Sequence, residues 1–202
     1  VEGNTFKGGG GGRPRGTRPI GITGDFGGGN PEYTKGIRIL NNNIYGSGLL
    51  NRPDECVAVN SHTENVTFEG NHFYDFLGGA TTLTIDDAAN SGGKLRNNTF
   101  RNCGGNGHYL ITVRCNDAII EGNDLLSTIP GTRGIYDGGA TTGFKVRGNS
   151  INVPGRALEL SSRHTVTDNE LVSSADTAIL LSGNRNTLRG NTIEQVGGGF
   201  GL

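Results

Sequence analysis

Asp86, Asp87, Arg114, Tyr136, Asp137 and Glu159 form the densest set of ionisable residues in the strand-like segments of this chain. Their types suit acid–base chemistry on an anionic substrate, an acidic sugar being one case. Abstracting the proton beside a sugar carboxylate needs a base and a cation that neutralises the carboxylate. Tyr136 is a candidate base, with His108 and His62 as the nearby alternatives. Arg114 is a candidate cation, and a Ca²⁺ ion held by Asp86 and Asp87 would serve the same end. This would be lyase or epimerase chemistry. Glycoside hydrolysis needs two carboxylates flanking the bond instead, and Asp86-Asp87 is the pair at hand. A third reading has no catalysis, with Asp86–Arg114 a surface ion pair contributing at most about 1 kcal/mol. Asn60, His62, His108, Arg13 and Arg15 are the expected substrate contacts. No cysteine or histidine spacing suits a metal centre, and none is assigned.

A repeat must position these residues. The segment VTFEGNHF (66–73) recurs as IRILNNNI (37–44), GKLRNNTF (93–100), AIIEGNDL (118–125), FKVRGNSI (144–151), HTVTDNEL (164–171) and NTLRGNTI (186–193). The chain opens inside a further copy, VEGNTF. The aligned asparagines are Asn4, Asn42, Asn71, Asn98, Asn123, Asn149, Asn169 and Asn191, at spacings that run from 38 to 20 residues. A repeat of this length means stacked turns of a solenoid. Apolar residues alternate with period two, so each copy is a strand. Asn tolerates the left-handed backbone of a sharp bend, and its amide can bond to the equivalent Asn one rung away. These asparagines are read as structural.

A second strand precedes most copies: CVAVNS, LTIDD, LITVRC, GIYDG, ALELSS and AILLSG, with PIGITGD serving the first. Alternation points Val57, Val59, Leu83, Ile85, Ile111, Val113, Leu158, Leu160, Ile179 and Leu181 inward. It points Ala58, Thr84, Thr112, Tyr136, Glu159 and Leu180 outward, beside a column of Asn60, Asp86, Arg114, Gly138, Ser161 and Ser182. With rungs about 4.8 Å apart, Asp86 can reach Arg114 and Tyr136 can reach Glu159. Asp137 falls where other rungs place an apolar residue. The following Gly138-Gly139 is expected to distort the strand and turn Asp137 outward. His164 and Arg163 are expected in a solvated turn.

The apolar-x-apolar-x-Gly-Asn-x-Ile rungs resemble those of the parallel β-helix repeat proteins of the pectate-lyase-like superfamily. The resemblance covers essentially the whole chain. It implies an all-β fold: a right-handed, single-stranded parallel β-helix of about eight rungs, roughly 35–40 Å long. It also implies a role in recognising an extracellular polysaccharide, with lyase or epimerase activity as its catalytic form. Asp86-Asp87 resembles the paired aspartates of the polygalacturonases, but His62 stands where that family has an Asp. The Gly-His-Gly and Arg-x-Lys segments of that family have no counterpart, nor does the Asp-Pro-His of the mannuronan epimerases. A stalk, adhesin, tail-fibre segment or passive glycan binder is the non-catalytic alternative.

The length suits one domain, residues 1–202. Only 32% of residues are hydrophobic and 37 are glycine, which fits a rung with few core positions and several tight turns. The net charge of −1 gives no support for nucleic-acid binding. No apolar run is long enough to span a membrane as a helix. Gly-rich loops are expected at 7–18 and 26–35. The first carries Arg13 and Arg15, either as an arm gripping an anionic polymer or as a solvated loop. Cys56, Cys103 and Cys115 read as buried hydrophobes, with a Cys103–Cys115 disulfide the alternative. The ends lack obvious caps, so continuing sequence or end-to-end association is expected. The location expected is extracellular or cell-surface.

Overall fold

The computed structural model describes residues 1–7, 19–22, 34–48, 57–60, 63–77, 81–85, 92–105, 107–139, 141–174 and 177–196. Among these there is no helix, and the strands build three long parallel sheets. Each turn of the chain contributes one strand to each sheet. The rung of Asn98 is representative, with Lys94–Arg96 in sheet 1, Thr99–Arg101 in sheet 2 and Tyr109–Val113 in sheet 3. The protein is a parallel β-solenoid.

Register stacks like on like. Leu95 pairs with Phe68 and Ile120, Phe100 with Phe73 and Leu125, and Ile111 with Leu83 and Ile135. All nine side chains are fully buried, and each such side chain contributes about 2 kcal/mol of apolar burial. Phe73 and Phe100 lie face to face, 4.5 Å between centroids. Of the residues assigned inward on sheet 3, all are buried except Leu181, which is half-buried.

The asparagine ladder forms as expected. The Asn98 backbone N–H and its side-chain Nδ2 both donate to Asn123 Oδ1, each at 2.9 Å, and Nδ2 also donates to Phe68 O at 3.0 Å. The same backbone-to-Oδ1 bond links each asparagine to the next from Asn4 to Asn191. The bend itself sits one residue earlier than expected. Positive φ, between 52° and 68°, belongs to Gly3, Asn41, Gly70, Asn97, Gly122, Gly148, Asp168 and Gly190. The aligned asparagine keeps an ordinary backbone, and its side chain turns inward to the ladder.

Two expectations need correction. The count of eight rungs is high. Sheet 2 has eight strands but sheets 1 and 3 have seven each, and six rungs carry all three strands among the described residues. At the outer bounds of the two expected loops the described residues are strand. Lys7 ends the strand Thr5–Lys7, and Thr34–Lys35 pairs in parallel with Thr63–Glu64; 8–18 and 26–33 lie outside the described residues. Cys103 and Cys115 are buried without a disulfide between them, in line with the buried-hydrophobe reading, and Cys56 is not described. Burial pushes the Cys103 thiol up to about 12, which makes it an inert core group.

Candidate functional site

Sheet 3 consists of Gly21–Ile22, Val57–Val59, Leu83–Ile85, Tyr109–Val113, Arg133–Tyr136, Leu158–Leu160 and Ile179–Leu181. Its strands do not alternate strictly. The last four enter the sheet through two consecutive inward residues: Leu110-Ile111, Gly134-Ile135, Ala157-Leu158 and Ala178-Ile179. Outward positions on either side of this step are therefore three apart. One column is Thr112, Tyr136 and Glu159, in register as expected, with Thr112 itself buried. The other is Tyr109, Arg133 and Arg156, which simple alternation missed. The repeated pattern was on view as Tyr109-Leu110-Ile111-Thr112, Arg133-Gly134-Ile135-Tyr136 and Arg156-Ala157-Leu158-Glu159. Gly134 is required there because a Cβ would fall 2.2 Å from Ala157 O.

The two columns meet in one cluster. The Tyr109 and Tyr136 rings stack at 4.8 Å with 21° between planes. Arg133 Nη1 donates to the Tyr109 hydroxyl at 3.0 Å, and its guanidinium carbon lies 5.4 Å from the centre of that ring. The Tyr109 hydroxyl and Arg156 Nη1 both donate to Glu159 Oε2. Beside them opens a cavity of about 330 Å³ lined by Gly107, Gly131, Arg133, Pro154, Gly155, Arg156 and Thr177. Burial and then the contact with Glu159 push the Tyr109 phenol above its usual value, and Arg133 offsets this only in part. Tyr109 is thus a proton holder near neutral pH.

The expected site residues divide. Tyr136 and Glu159 stand in the cluster, but the partners of Glu159 are Tyr109 and Arg156 rather than the Tyr136 hydroxyl, which lies over Gly139. Arg114 is exposed and crosses Gly138, where a Cβ would fall 2.2 Å from Arg114 Cγ. His108 is half-buried in the turn leading to Tyr109, and its carbonyl accepts from the Arg133 N–H. Asn60 lies four rungs before Glu159, about 19 Å away along the stack. Asp86, Asp87, His62, Arg13 and Arg15 lie outside the described residues. The described strands of sheet 3 present Glu159 as their one outward carboxylate. Among the described residues no three His, Cys, Asp or Glu side chains converge as metal ligands.

Asp137 is not on this face. It points inward and is 1% exposed, in the column of Val113 and Leu160. Gly138 and Gly139 do adopt positive φ, but the bend turns the chain after Asp137 rather than rotating its side chain outward. Asp137 Oδ2 accepts from the Ser161 N–H at 2.6 Å, the Ser161 hydroxyl at 2.5 Å and His164 Nε2 at 2.9 Å, and Oδ1 accepts from the Gly139 N–H. His164, expected in solvent, is also 1% exposed. Its Nδ1 accepts from the Phe144 N–H at 3.1 Å, so the proton of the neutral ring sits on Nε2 and faces Asp137. Arg163 is exposed in the turn, as expected, at φ 64°. Burial alone would raise the Asp137 carboxyl, but the bonds from His164, Ser161 and Gly139 outweigh it and hold it below the usual carboxylate range. The Asp–His–Ser set therefore looks like a triad by composition, but its shared oxygen is buried and its histidine is committed at both nitrogens.

Comparison of the chain with family models, curated proteins and solved structures returns no match.

Proposed function

We propose that the protein binds an acidic polysaccharide along sheet 3, as a β-solenoid of the pectate-lyase-like kind its rungs resemble. The observation that carries this reading is the cavity walled by Arg133 and Arg156 next to the Tyr109–Tyr136 stack. A sugar ring needs a flat apolar face to lie on, and its carboxylate or sulfate needs a planar cationic fork. Both are present within three consecutive rungs. An extracellular or cell-surface location accords with such a ligand.

Lyase or epimerase action is the second reading, and it has its own observation. Glu159 touches Tyr109, whose phenol is held protonated. In β-elimination the carboxylate would take the proton beside the sugar carboxylate. That electron pair would form the new double bond as the glycosidic C–O bond breaks. Tyr109 would give its proton to the leaving oxygen. Hydrolysis draws less support, because Glu159 has no second outward carboxylate among the described residues of the sheet.

Titration calorimetry with oligogalacturonate, oligoalginate and heparin fragments, set against a neutral cello-oligosaccharide, tests the binding reading. The folded protein should bind at least one acidic oligomer and not the neutral one. Arg133→Gln with Arg156→Gln should weaken binding about thirtyfold through loss of two charge-assisted contacts. Equal binding by that double variant would sink the assignment. Ultraviolet absorbance of unsaturated uronate, followed with reducing ends, tests the lyase reading, and Tyr109→Phe should abolish any signal.

A further inference from the structure

Sheet 2 carries a second aromatic column that no part of the sheet 3 cavity touches. Its N-terminal strands are Thr5–Lys7, Asn43–Tyr45 and His72–Tyr74, joined in parallel. Register brings Tyr45 over Tyr74, and their rings stack at 5.1 Å with 22° between planes. His72 extends the aromatic surface, 6.2 Å from Tyr74. Tyr74 thus covers one face of Tyr45. On the other side the in-register neighbour is Lys7, which has no ring. There the chain opens on a cavity of about 470 Å³ lined by Thr5, Lys7, Tyr45, Gly46 and Ser47. This lies within the roughly 300–1,000 Å³ typical of small-ligand sites.

The lining has a consistent chemistry. Tyr45 offers a flat, electron-rich face to the C–H side of a sugar ring. Lys7 is exposed and makes no ion pair among the described residues. Thr5 and Ser47, both hydroxyl-bearing residues, complete the lining. Gly46 also lines the cavity, and it packs so closely on the next rung that a Cβ there would fall 2.4 Å from Asp75 O. An aromatic face beside one ammonium and two hydroxyls fits a ring that is apolar on one side, hydroxylated at its edge and negatively charged at one point.

We propose that this cavity is a second carbohydrate site, which takes one anionic sugar ring stacked on the outer face of Tyr45 with its charged substituent toward Lys7. Two sites on different sheets would let one solenoid hold two chains, or two stretches of one chain. The proposal stands independently of the sheet 3 reading, because the two share no residue.

The test is titration calorimetry with a galacturonate trimer on the Arg133→Gln/Arg156→Gln protein, in which sheet 3 has lost its cations. Binding should persist in that background. Adding Tyr45→Ala should weaken it about tenfold, whereas Tyr45→Phe keeps the ring and should stay within about twofold. Lys7→Gln should weaken the trimer about threefold and leave a neutral trimer unchanged. If Tyr45→Ala fails to fold, Tyr45→Leu removes the ring while keeping apolar packing and is read in the same way. No binding in the background protein, or binding indifferent to the loss of the Tyr45 ring, would overturn the site and leave the sheet 3 reading untouched. Loss of all binding with Tyr45→Ala in the otherwise native protein would uphold this site and remove the other.

Discussion

The asparagine ladder and the Asp137–His164 pair are both polar insertions into an apolar interior. The ladder repeats at every rung and is neutral, and each amide finds its partners in the next copy of itself. The pair occurs once and contains a carboxylate. Its bonds converge from His164, Ser161 and Gly139 on different segments. A repeated neutral insertion is stabilised by periodicity alone. A single charged one depends on every partner at once, and its stability must follow pH.

The largest effect should come from cutting the ladder. Asn98→Ala removes the acceptor of two Asn71 bonds and the donor to Asn123 and Phe68, leaving buried groups unpaired. Chemical denaturation should show a loss of about 4 kcal/mol. A loss under 1 kcal/mol would mean that the ladder is ornamental.

Breaking the pair should cost nearly as much. Asp137→Ala leaves His164 and Ser161 without their acceptor and should destabilise by about 3 kcal/mol. Here the comparison can be sharpened, because the pair can be replaced by what the neighbouring rungs contain. Asp137→Leu with His164→Phe should recover most of that loss, whereas no apolar substitution restores a single rung of the ladder. If the double variant is worse than Asp137→Ala, the pair has a role beyond filling the core.

The pH profile separates the two insertions directly. The folded carboxyl of Asp137 lies below its unfolded value of about 3.9. Its stabilisation is therefore complete above that value and is lost as pH falls through the lowered folded value. Melting temperature should drop below about pH 4, and the Leu/Phe double variant should lose this component of the drop. The ladder carries no titrating group and should contribute none.

The smallest effect should come from the charged surface of sheet 1. Glu121 meets Arg147 at 2.7 Å and Arg96 at 3.5 Å, all three being partly exposed. Glu121→Gln should change stability by no more than about 0.5 kcal/mol, and less at high salt. A larger change would place that column with the buried insertions rather than with the solvated faces.

Much of the architecture was legible because a solenoid writes its fold locally. Spacing of the asparagines, period-two apolar residues and glycine at the bend each recur several times, so one error of reading is corrected by the next copy. The second-strand register was legible for the same reason. The cluster on sheet 3 was legible by halves. Tyr136 and Glu159 lie on the alternating side of the strand, whereas Tyr109, Arg133 and Arg156 lie beyond a double inward step that alternation cannot anticipate. Asp137 and His164 were misread because each was judged within its own segment. Alone, a carboxylate next to two glycines or a histidine in a turn belongs in solvent.

The sequence by itself determined that this chain would coil into stacked rungs, since every local preference repeats and all copies agree. It also determined which face of each strand is apolar, because side-chain period follows from backbone geometry. Outside the asparagine ladder, only the tertiary structure decided which polar residues meet. Glu159 finds Tyr109, which lies 50 residues away, and Asp137 finds His164 across 27. Those distances close because loop length fixes how one rung settles on the next, and loop length is the one property the repeat does not keep constant.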